Sequence, residues 1–147
     1  MPKPVTPLVG CDVFILNAQN QVLLIRRSDN HFWAMPGGAQ NLGETPQECA
    51  ERECWEESGY RVQVTELLGV FSSKKYPYIN YPWKENEICH LFFRAKIIDG
   101  TAKTSEESEA IGWFSESELP PLSDGHEIRI RFGFKKQRAP ETPAYFE

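Results

Sequence analysis

Between Glu48 and Glu57 the chain sets five glutamates (Glu48, Glu51, Glu53, Glu56 and Glu57) around one arginine, Arg52. On a helix, Glu53, Glu56 and Glu57 stand at i, i+3 and i+4, so their carboxylates share one face within a turn. Like charges at that spacing repel, and Glu56 and Glu57 fall in the last turn, where the helix dipole favours cations. Each violation costs only about 0.2–0.5 kcal/mol, but they accumulate where no lysine answers them. A locally inconsistent stretch is a candidate functional site. The economical compensation is a bound divalent cation, and a ligand set made only of oxygen selects a hard ion, Mg²⁺ or Mn²⁺.

The competing reading is a solvated acidic face, which is what most charge runs on helices are. Two features weigh against it. The helix offers few apolar residues, mainly Ala50 and Cys54, so the acidic face borders the buried one. In addition, Met35-Pro36-Gly37-Gly38 and then Gly43-Glu44 bring flexible backbone and one more carboxylate towards the same end.

The surrounding elements must hold this face in place. Thr45-Pro46-Gln47-Glu48 reads as a capping box with proline at the first helical position, and Gly59 as the stop. Val9 to Leu16 and Gln21 to Arg27, rich in branched residues, flank the turn NAQN and predict a hairpin. Val62–Phe71 and Glu87–Ile98 read as further strands, joined by a long aromatic connection, and Ala110–Phe114 as a short one. Ser115 with Glu118 forms a capping-box pattern for a brief helix stopped by Pro120-Pro121. Asp124 to Gln137 predicts a closing helix with Ile128, Phe132 and Lys135 on one side, and residues 138–147 an extended tail. Interleaved strands and helices favour a sheet covered by helices.

The same residues carry a family resemblance. Gly38, five residues, Glu44, seven residues, and then Arg52-Glu53-Cys54-Trp55-Glu56-Glu57-Ser58-Gly59-Tyr60 resembles the Nudix box, G-x5-E-x7-R-E-U-x-E-E-x-G-U with U bulky and aliphatic. Every fixed position is filled, and Cys54 and Tyr60 are unusual occupants of the two U positions. The likeness runs from about Val9 to Leu122, through the aromatic loop before Gly38 and through AIGWFSESELP.

The resemblance implies a MutT-like Nudix hydrolase: an α/β/α sandwich with a mixed β-sheet between helices. It would cleave a pyrophosphate bond in a nucleoside diphosphate linked to another moiety, with magnesium or manganese as cofactor. By position, Glu53, Glu56, Glu57 and the Gly38 carbonyl would be metal ligands, Arg52 would orient a carboxylate, and Glu44 would support them. The general base is open between Glu53 or Glu57 on the helix and a later carboxylate among Glu106, Glu107 and Glu109. Glu107 is preferred among these three, which also read as an exposed acidic turn.

Substrate features lie outside the box. Tyr76, Tyr78, Tyr81 and Trp83 give the 74–86 connection an aromatic density suited to stacking on a base, or to loop packing or a dimer contact. Arg26 and Arg27 end a strand aimed at the site, where one of them meets a phosphate. Phe32 and Trp33 read as structural or as a second wall, and Trp55 as a loop cover or part of a homodimer contact. Family subgroups are marked by a proline or a tyrosine after the box. Pro77 lies seventeen residues after Tyr60, between Tyr76 and Tyr78, and meets both marks loosely.

At 147 residues the chain is expected to form one domain, residues 1–147, with the box at 38–60. No apolar run approaches the roughly 20 residues of a membrane span, and the N-terminus lacks a secretory pattern, so a cytoplasmic location is expected. A net charge of -5 argues against non-specific duplex binding, which leaves a small nucleotide as the expected partner. Cys11, Cys49, Cys54 and Cys89 read as reduced thiols, mostly in the core. The rival to catalysis, a Nudix-fold binding module, would be marked by loss of a box glutamate or arginine, and none is lost.

Overall fold

The structure is a computed structural model that describes residues 6–75 and 87–147. Its elements run in the order β1 (Leu8–Phe14), β2 (Val22–Arg27), β3 (Trp33–Ala34), β4 (Gly37–Ala39), α1 (Pro46–Ser58), β5 (Tyr60–Ser72), β6 (Ile88–Gly100), β7 (Ser108–Phe114), α2 (His126–Arg138) and β8 (Tyr145–Phe146). A five-stranded mixed sheet has the order β4-β1-β6-β5-β8, with β1 and β6 parallel, and a smaller antiparallel sheet has the order β3-β2-β7.

Alternation along β1 builds both cores, because successive side chains point to opposite faces. Cys11, Val13 and Ile15 pack with Cys49, Ala50 and Cys54 of α1, while Phe14 packs with Ile130 and Phe134 of α2. The sheet therefore lies between the two helices, an α/β/α sandwich as the resemblance implied. All four cysteines are free, and three are buried. No helix among the described residues is long and apolar enough to cross a membrane.

Three expectations need correction. The hairpin exists only at its tip, where Leu16 bridges Val22 and the Leu23 amide donates to Ile15 O at 3.0 Å. Beyond that the strands diverge into different sheets. Both segments are apolar on two faces, a pattern that says each strand is covered on both sides but not which strand lies beside it.

Ser115 starts only a 3₁₀ turn, Glu116–Glu118, closed by the Glu118 amide on Ser115 O, and its side chain makes no capping bond. The inner face of α2 is His126, Arg129, Ile130, Gly133 and Phe134; of the expected side, Phe132 packs against Phe71 at its margin, whereas Lys135 is exposed and Ile128 is 40% exposed. Apolar periodicity alone misplaced that face because two of its buried residues are polar by type. Gly133 is there to let the sheet approach: a Cβ on it would stand 2.7 Å from the Phe14 ring.

The tail continues as helix to Arg138 and then ends in β8, which adds parallel to β5, with Tyr145 stacked on Phe71 at 4.5 Å. Trp55 is half-exposed, and the Arg61 guanidinium lies 4.6 Å above its ring. Tyr76, Tyr78, Tyr81 and Trp83 lie outside the described residues.

Candidate active site

The acidic helix begins and ends as its sequence prescribes. Thr45 accepts from the Glu48 amide at 3.1 Å and Glu48 accepts in return from the Thr45 amide at 2.9 Å, completing the capping box. At the other end Gly59 takes the left-handed conformation, φ 80°, and its amide donates to Trp55 O. Two further carbonyls of the last turn are satisfied from the loop before β7 and from the first residue of β7 itself. Lys103 donates its amide to Ser58 O at 2.8 Å, and the buried Ser108 hydroxyl donates to Glu57 O at 2.6 Å. Those two bonds dock that loop on the helix end and carry Glu107 to the carboxylates.

One oxygen from each of Glu53, Glu57 and Glu107 lies within 4.8 Å of the others. Glu57 is buried, and its Oε1 accepts from the Gly37 amide at 2.8 Å. Burial pushes the Glu57 carboxyl well above the ordinary carboxylate range, with the Gly37 bond opposing that rise and the nearby Glu53 charge adding to it. Burial also raises Glu53, against the pull of Arg52. A Cβ on Gly38 would stand 2.5 Å from the Glu53 carboxyl carbon, so a side chain there would displace that carboxylate. Its carbonyl accepts a weak bond from the Cys49 thiol at 3.5 Å.

Arg52 faces the same region but is fully engaged. It meets both oxygens of Glu44 at 2.9 and 2.8 Å, Glu53 at 2.8 Å and Glu56 at 3.2 Å, and it donates to Ala39 O. This bidentate contact holds the Glu44 carboxyl down at about 2. Glu44 and Arg52 thus brace β4 against α1 and orient Glu53.

The carboxylates line a cavity of about 290 Å³ that also takes in Arg27, Asp29 and Asn41. Arg27 sits there, paired with Asp29, while its neighbour Arg26 turns away to Glu109 and His31 O, at 3.0 and 3.2 Å. Glu56 is exposed, held by Arg52 and outside the three-carboxylate group. Of the three later carboxylates, Glu107 joins the cluster. Glu109 pairs with Arg26, and Glu106 contributes its backbone carbonyl to Ser28.

The Gly37 amide, Asp29 and Asn41 were not singled out from sequence, because a backbone donor and short loop polars carry no pattern. The donor set suits a hard divalent cation: oxygens only, converging, with two carboxyls whose charge burial disfavours until a cation compensates it.

Comparison with known proteins identifies the family. The model of the NUDIX domain matches residues 6–133. A "MutT-like protein" of Streptomyces ambofaciens is 38% identical over 117 residues, covering 79% of this chain and 70% of that protein. An ADP-ribose pyrophosphatase of Methanocaldococcus jannaschii is 33% identical over 128 residues, 85% of this chain and 72% of that one. The crystal structure of a UDP-X diphosphatase superposes with a TM-score of 0.84 at 24% identity, covering 99% of this chain and 70% of that chain, and supports the fold.

Proposed function

The chain belongs to the Nudix family and is a hydrolase of pyrophosphate bonds, and from that premise we propose that it needs a divalent cation and cleaves a nucleoside diphosphate linked to another moiety. The observation that carries this is the convergence of Glu53, Glu57 and Glu107 beside an Arg52 already locked by Glu44. Glu53 and Glu57, with the Gly38 carbonyl, would hold Mg²⁺ or Mn²⁺. When bound, such an ion neutralises phosphate charge and lowers the pKa of water.

The chain's own groups do the rest. Gly37 fixes one oxygen of Glu57, Arg52 fixes Glu53, and Arg27 at the cavity wall offers a cation to a phosphate oxygen. Glu107, on the loop facing the helix and open to solvent, is the base. It takes a proton from water as the water oxygen bonds to one phosphorus. The bridging P–O bond breaks, and its electron pair leaves with the departing phosphate.

The M. jannaschii relative favours ADP-ribose as the first substrate to try. A panel of ADP-ribose, nucleotide sugars, dinucleoside polyphosphates and nucleoside triphosphates, each with Mg²⁺, with Mn²⁺ and with chelator, tests this reading. Cleavage of one class, abolished by chelator, is the expected result. Silence across the panel from protein that still binds the ion would overturn it in favour of a binding module.

A further inference from the structure

Helix α2 sends two polar side chains into the middle of the fold. His126 and Arg129, at i and i+3 on its inner face, are 5% and 1% exposed. Arg129 Nε lies 2.8 Å from Asp12 Oδ2, deep between helix and sheet. A buried ion pair is a poor source of stability, because desolvation offsets the attraction, so this one calls for another reason.

His126 reaches the segment Met35–Gly37 directly, and Arg129 only through Asp12. His126 Nδ1 accepts from the Met35 amide at 3.2 Å, and Pro36 O accepts from the Val13 amide at 3.0 Å. Asp12, the partner of Arg129, lies opposite Gly37 in the register of β1 and β4, with Oδ1 2.6 Å from where a Gly37 Cβ would be. The Gly37 amide then donates to Glu57. Contacts therefore run without a break from α2, through Met35–Gly37, to the most buried of the three carboxylates. Because His126 Nδ1 accepts, its ring proton is on Nε2 and the ring is neutral. Burial and the nearby Arg129 charge favour that form.

We propose that His126 is a positioning residue for the hydrolysis: its bond to Met35 sets the segment whose Gly37 amide fixes the Glu57 carboxylate. This rests on the role given to Glu57 above, and it assigns to the second helix a part in chemistry that it does not touch. Loss of the acceptor lets the segment drift, and a shift of about 1 Å costs roughly 10–100-fold in turnover.

The test compares His126→Leu, which lacks an acceptor, with His126→Asn, whose Oδ1 can take the place of Nδ1. In His126→Leu, hydrogen exchange at the Gly37 amide is expected to speed up roughly tenfold while exchange at Phe92 in the central strand stays as it was. Its kcat should fall with little change in KM, and His126→Asn should restore both readings. Unchanged Gly37 protection in His126→Leu, or equal losses in both variants, would overturn the proposal. Nitrogen shifts of the His126 ring in the unsubstituted protein decide the matter even if the variants fail to fold: an Nδ1–H ring would contradict the tether, and an Nε2–H ring supports it. Should no pyrophosphate substrate be cleaved by any form, the proposed function fails, while exchange and ring measurements still decide the tether.

Discussion

At the residue scale the carboxylates divide by the environment each occupies. Glu57 is buried with a raised pKa and Glu107 is open to solvent, so their removal should have different signatures. Glu107→Gln is expected to keep ion affinity while kcat falls about 10²–10⁴-fold, the usual worth of a general base. Glu57→Gln should lose both turnover and ion affinity. In metal-free buffer near neutral pH, Glu57→Gln should melt higher, by about 2–4 °C for each kcal/mol released. The sign follows from linkage: a carboxyl whose folded pKa is raised binds its proton more tightly in the native state, so stability falls as pH rises past the ordinary 4.5 and the loss is complete above the raised native value. Titration calorimetry with Mn²⁺ and thermal melts of both variants would check this.

Glu44 has the opposite sign. Its folded pKa of about 2 lies below the ordinary 4.5, so its stabilisation is complete above the unfolded value and is lost as pH falls from about 4.5 through about 2. Glu44→Gln should flatten that stretch of a stability-versus-pH curve. The shared face of Glu53, Glu56 and Glu57 was legible from spacing, and the role of Arg52 only from the resemblance to the box. Arg52 draws Glu56 aside across one turn of the helix, from i to i+4, while a loop fifty residues on supplies the third converging carboxylate through contacts that spacing along the helix does not show.

At the element scale, α1 was legible almost to the residue, since its capping box, its proline start and its glycine stop are local signals that no tertiary contact overrides. Helix α2 was legible as an element but not in its facing. Its buried face carries His126 and Arg129, whose burial depends on partners in β1 and before β4 that no helical period reveals. The pairing of β1 was likewise hidden, because it rests on a parallel neighbour, β6, some eighty residues away in sequence. Removing Arg129 as Arg129→Ala should destabilise the protein by about 3–5 kcal/mol, since it leaves the buried Asp12 charge facing the His90 ring, 3.7 Å away. Denaturant unfolding at neutral pH checks this. A loss under about 1 kcal/mol would show Asp12 to be neutral or hydrated there.

At the scale of the whole molecule, the sandwich presents the Gly37–Ala39 edge of its sheet and the end of its acidic helix to one cavity, and the docked loop before β7 closes it from the other side. That assembly exists only in the native state, so an ion bound there should stabilise the fold by mass action, about 2.7 kcal/mol at a hundred times its dissociation constant. The central claim is that Glu53 and Glu57 hold an ion, beside Glu107 as the base, without which the pyrophosphate bond is not cut. It is tested most directly by titrating Mg²⁺ into metal-stripped protein while following substrate cleavage, side by side with Glu57→Gln. The account predicts a rate that rises from nothing and saturates with ion occupancy, and almost no rate in the variant at any ion concentration. Cleavage that persists in chelator, or that survives intact in Glu57→Gln, would contradict it.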